Sequence, residues 1–151
     1  MNFPYPKSTA SIAGHPVHPM LVPFPIAFFT LALVMDVAYW QTSNLMWKHF
    51  AEWLLLAGLV CGGLAAIAGA IDFFARREVR SQRPAWPHAI GNIIVMLLAF
   101  INSLVHARDG WTGVVPLGLS LSVATVLLLL VTGWLGASLV YRHGVGVEHH
   151  D

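Results

Sequence analysis

Long apolar blocks alternate along this chain with short polar ones, and each block is long enough to cross a bilayer. The pattern predicts four membrane helices: span one at about 20–40, span two at about 53–74, span three at about 87–106 and span four at about 115–141. At 1.5 Å per residue, each approaches or exceeds what ~30 Å of hydrocarbon requires. The connectors 41–52, 75–86 and 107–113 hold the breakers and most of the charges. Connectors this short make sequential helices antiparallel neighbours. The expected fold is therefore all-α, an antiparallel up-down four-transmembrane-helix bundle forming one domain over residues 1–151.

Composition sharpens this picture. Only 10% of residues are charged and 57% are hydrophobic, against about a quarter charged in a soluble domain, so the partner of most of the surface is lipid. A net charge of +1 offers no nucleic-acid surface. Cys61, the one cysteine, lies inside an apolar run and reads as a small core residue. Met1 to Gly14 is polar and lacks the apolar stretch of a cleavable signal, so the first span is expected to be retained as an anchor.

Lysine and arginine give an orientation. Lys7, Arg76, Arg77, Arg80, Arg83 and Arg142 fall on the face that holds both termini and the second connector, while the other face has only Lys48 and Arg108. The positive-inside rule places the first face, with both termini, in the cytoplasm. Trp40, Trp47, Trp53 and Trp111 mark the outer interface, and Trp86 the inner one. In span two, Gly58, Gly62 and Ala66 recur every four residues; span four has Gly133, Gly136 and Ala137. Such ridges let helices approach closely, within one bundle or across a homodimer.

The candidate chemistry lies in the histidines. His15 and His18 sit in a proline-dense lead into span one, where Pro16, Pro19, Pro23 and Pro25 disfavour regular helix up to about Pro25, apart from its permissive first turn. Their spacing can chelate a metal, although two ligands make an incomplete site. On span three, His88, Asn92, Val95, Ala99, Asn102 and His106 form one stripe, which should face the bundle because polar groups are costly in lipid. Its two imidazoles are 18 residues apart, roughly 27 Å along the axis. His18 and His143 approach the level of His88 on the inner side, and His49 could approach His106 on the outer side. Paired imidazoles from separate helices are how a b-type haem is held in a membrane. Helix-end histidines solvated by water or headgroups are the plainer reading.

Two aspartates complete the set. Asp72 stands four residues before Arg76, the spacing of a local ion pair, or could orient a ligating histidine. Asp36 has no local cation and is expected to meet His49 or His106, with an Asp36–His106 proton relay as one outcome. No nucleophile elbow, phosphate loop or dinucleotide fingerprint is present, so independent catalysis is not expected.

The segments His15-Pro16-Val17-His18-Pro19-Met20-Leu21-Val22-Pro23-Phe24-Pro25-Ile26, His88-Ala89-Ile90-Gly91-Asn92, Gly133-Trp134-Leu135-Gly136 and Leu139-Val140-Tyr141-Arg142-His143-Gly144-Val145-Gly146-Val147 resemble a bacterial membrane family. That family is catalogued as domain of unknown function 2231. The resemblance spans nearly the whole chain and implies a four-helix inner-membrane protein. Some proteins similar to this family are joined to Rieske-type iron–sulfur domains, an association that favours redox work without assigning it here. It carries His15, His18, His88, Arg142 and His143 as motif positions without roles. Ser138 departs from the pattern, standing where relatives carry glutamate or histidine.

The leading expectation is a haem-b-binding electron-transfer component with a cytoplasmic-side site. His88 supplies one axial ligand and His18 or His143 the other, Arg142 faces a propionate, and Asn92 and Asp72 lend support. One alternative is a cofactor-free accessory subunit packed against a redox or other membrane-complex partner. Another is a transition-metal site drawn from His15, His18, His88 and His143.

Overall fold

The computed structural model describes residues 6–107 and 113–147. Arg108 and Trp111, used above for orientation, lie outside the described residues. A small antiparallel hairpin, β1 (Ser11–Ile12) and β2 (His15–Pro16), leads into helices α1 (Val17–Leu21) and α2 (Pro23–Thr42). The hairpin turns through Ala13 and Gly14, both at positive φ, as a tight two-residue turn requires. Then come α3 (Leu45–Ala75), the short α4 (Arg77–Arg80) and α5 (Ala85–His106). A wide kinked turn over Val114–Gly118 precedes α6 (Leu119–Tyr141).

All four predicted spans are present as helices long and apolar enough to cross a membrane. Two boundaries differ from the sequence expectation. Helix begins at Val17 rather than near Pro25, because each proline falls where its missing N–H costs nothing. Pro19 lies in the first turn of α1, and Pro23 and Pro25 in the first turn of α2. The second span starts at Leu45, eight residues early. Asn44 caps it, its side chain accepting from the Met46 N–H, and Lys48 and Glu52 pair one turn apart. At 31 residues α3 is roughly 46 Å long, so its first turns extend past the hydrocarbon.

Contacts at both ends fix the directions. His18 at the start of span one meets Ala65 late in span two, whereas Asp36 near the end of span one meets His106 at the end of span three. His88 opening span three meets Thr132 late in span four. Consecutive spans therefore run in opposite directions. The core is small: Phe29, Ala32, Leu55, Val95, Ala99 and Leu129. Gly58 lets Phe29 in, since a methyl there would overlap the ring. Gly62 lies against Met96 and Pro25, so the span-two ridge is used inside the bundle.

The outer surface is more apolar than the interior. Ile67, Ile93, Leu127 and Leu130 are each about 60% exposed or more, while Asp36, Asn102, His106 and Ser122 are almost inaccessible. Water would not favour that distribution; hydrocarbon does.

Candidate functional site

Two polar clusters lie at opposite ends of the bundle. The first is on the terminal face, the end carrying the hairpin, α4 and the C-terminal tail. His18 and His88 meet there edge to face, with ring centres 6.1 Å apart and planes at 87°. The Nδ1 of His18 donates to the carbonyl of Ala65 at 2.7 Å, and that of His88 to the carbonyl of Thr132 at 2.9 Å. A carbonyl can only accept, so each ring in its neutral form carries its proton on Nδ1 and its lone pair on Nε2. That is the form in which histidine ligates metals.

Both contacts depend on a glycine one turn further along. A helical carbonyl is normally screened by the side chain at i+4. Residue i+4 from Ala65 is Gly69, where a Cβ would stand 2.9 Å from His18 Nδ1; i+4 from Thr132 is Gly136, where it would stand 2.9 Å from His88 Cε1. The sequence reading counted Gly136 only as a packing glycine and passed over Gly69. The signal was an apolar or small residue followed four later by glycine, opposite a histidine on another span.

Asn92 joins this cluster. Its Nδ2 donates to the His88 carbonyl at 2.8 Å and lies 3.3 Å from both ring nitrogens. His15 is on β2, exposed, beside an open cleft shared with Pro16, Pro19, Met20 and Val140. His143 follows α6 half-buried, its backbone N–H bonded to Ser138, and Arg142 is exposed next to it. No hydrogen bond or ring contact joins His15, His143 or Arg142 to the His18–His88 pair. Among the described residues, no three His, Cys, Asp or Glu side chains converge as a metal-binding group.

Asp72 forms no ion pair with Arg76, contrary to the favoured reading of their spacing. Its carboxylate instead accepts from the Thr9 and Ala10 N–H groups at 2.6 and 2.8 Å and from the Ser8 hydroxyl at 2.7 Å. Arg76 donates to Thr9 Oγ1. Three aligned donors of a folded-back segment outcompete one flexible guanidinium in water, and the segment is tied down further by Gly146 N–H to Pro6.

The second cluster, at the opposite end, is wholly buried. His106 Nε2 lies 2.8 Å from Asp36 Oδ1, and His106 Nδ1 donates to the Asn102 carbonyl at 2.9 Å. Ser122 donates to Asp36 Oδ2 and accepts from Asn102 Nδ2 at 2.8 Å. Asn102 Oδ1 has no partner. The chain at Gly118 passes close enough that a Cβ would meet His106 Cε1 at 2.9 Å. Of the two partners suggested by sequence, His106 is the one Asp36 meets. His49 is exposed and pairs with Glu52 on its own helix. Ser122 was missed, because a serine within an apolar span carries no periodic signal of its own.

A four-span membrane bundle, apolar outside, with one histidine pair and one buried carboxylate–imidazole network, is the class this structure defines. Residues 14–149 match the family described as predicted membrane protein DUF2231, and the chain belongs to that family. No curated protein and no solved structure matches it.

Proposed function

We propose that this protein is a membrane electron-transfer component in which His18 and His88 would hold a b-type haem. The observation that carries the reading is the shared Nδ1-protonated form of two imidazoles from different spans, each held by a backbone carbonyl. The donor set fits. A haem brings four equatorial nitrogens of its own and asks the protein for only two, whereas a zinc-type centre needs three or four protein donors. The bound group would supply a one-electron couple. The chain's part is to set ligand orientation through Ala65 and Thr132, to hold His88 from Asn92, and to neutralise a propionate with Arg142.

The arginines at 76, 77, 80, 83 and 142 support a cytoplasmic terminal face, and hence a site on the cytoplasmic side of a bacterial inner membrane. Oxidised and reduced visible spectra of protein purified after expression with ample haem test the proposal. A Soret band lost in both His18→Ala and His88→Ala is expected; a colourless wild-type protein overturns it. A cofactor-free accessory role is the second reading. It draws on Gly133, exposed on α6, where among the described residues no side chain or neighbouring helix comes within 4 Å of an added Cβ, leaving a flat strip for a partner helix.

A further inference from the structure

We propose that Asp36 and His106 form an intramembrane proton-binding site, separate from the His18–His88 pair and loaded from the face opposite the termini. Each of Asp36, Asn102, His106 and Ser122 is at most 2% exposed. Ionisable groups this deep in a membrane protein are expensive, and a well-packed apolar set would be cheaper, so their presence points to use.

The hydrogen bonds define the proton count. His106 Nδ1 must carry a proton, since the Asn102 carbonyl opposite it can only accept. One further proton in the Nε2–Oδ1 bond makes the pair neutral, whichever atom it is nearer. Ser122 receives from Asn102 Nδ2 and gives to Asp36 Oδ2, so the chain of donors ends on that oxygen.

An added proton therefore binds at Asp36 Oδ2. Oδ2–H then donates to Ser122 Oγ, and the Ser122 hydroxyl needs a new acceptor. Asn102 Oδ1, buried and without a partner, is available. Half a turn of the amide about its Cβ–Cγ bond exchanges Oδ1 with the Nδ2 that now faces Ser122. The network thus has two polarities, and proton uptake converts one into the other. No electron moves; the proton comes from water.

Among the described residues, the surroundings hold few other titratable groups. On α2 the other titratable group of this end is Tyr39; on α3 it is Lys48, buried and paired with Glu52, whose other oxygen holds His49. Near the cluster α6 and the turn before it contribute only Ser122 and Thr125 as buried polar side chains. Tyr39, with Trp40, Ser43 and Val115, lines a depression that opens on this face one turn from Asp36.

Infrared difference spectra of the purified protein in lipid nanodiscs, with isotope-labelled histidine, over about pH 4 to pH 10, test the site. As pH falls, a protonated-carboxyl band should grow with a simultaneous imidazole change at one shared midpoint, and Asp36→Asn should abolish it. Ser122→Ala removes the hydrogen-bond partner of Oδ2 in both protonation states, so it should move the frequency of the protonated-carboxyl band. That variant also decides the matter if Asp36→Asn does not fold. A carboxyl band of the folded wild type that does not change over this range, or one indifferent to Ser122→Ala, overturns the proposal. The signal should persist in His18→Ala and His88→Ala, so loss of the haem reading leaves this one standing.

Discussion

Helix α5 begins with one histidine and ends with another, and the two ends have little else in common. His88 is half-buried, leans on a backbone carbonyl of α6, has Asn92 beside its ring and meets a second imidazole edge to face. His106 is fully buried, has both nitrogens engaged and faces a carboxylate. One residue type on one helix face has become a ligand-like pair at one end and a proton-holding pair at the other. What differs is the partner: a carbonyl bared by glycine fixes a tautomer without adding charge, whereas Asp36 adds a charge that must be balanced.

The comparison breaks most sharply if the buried ion pair is cut. Asp36→Ala leaves His106 and Ser122 without their acceptor, and should cost about 3–5 kcal/mol. Equilibrium unfolding in mixed micelles would measure this. His88→Ala should cost clearly less, because Thr132 keeps its helical hydrogen bond.

A pair of glycine substitutions sharpens the contrast. Gly118→Ala drives a methyl against the His106 ring, which is locked at both nitrogens, and should destabilise by about 1–3 kcal/mol. Gly136→Ala meets the His88 ring at the same 2.9 Å, but that ring is half-buried and can turn aside. Its main effect should be on the Nδ1–Thr132 bond, seen as reduced haem content in the visible spectrum with a smaller loss of stability.

Asp72→Ala probes the terminal face alone. Freed of its anchor, the segment 8–12 should exchange amide hydrogens faster, while global stability falls by about 1 kcal/mol. Mass-spectrometric hydrogen exchange separates the two. The smallest effect belongs to His49→Ala: its side chain is 61% exposed and its partner Glu52 keeps Lys48. Stability should stay within about 0.5 kcal/mol of wild type.

Much of this architecture could be read from the letters, and the parts that could not share one cause. The spans, their order and the inward stripe on α5 follow from hydropathy and helical period, which are properties of a single segment. Val95, Ala99, Asn102 and His106 are buried as the stripe requires. The pairing of Asp72 went the other way. An i,i+4 cation is the best local partner, yet residues more than sixty positions earlier displaced it, because a folded-back backbone offers several aligned donors at once. The early start of α3 had a legible cap in Asn44, outweighed by the polar residues after it.

Sequence alone determined that the chain lives in lipid, how many times it crosses, and which helix ends carry imidazoles. Apolar length and period suffice for that, since the bilayer imposes its thickness on every segment separately. Only the tertiary structure decided that His18 meets His88 and that Asp36 meets His106. Those meetings depend on how each helix is rotated and how near its neighbour's backbone can come. Gly69, Gly118 and Gly136 set that approach, and their effect exists only once two helices are side by side.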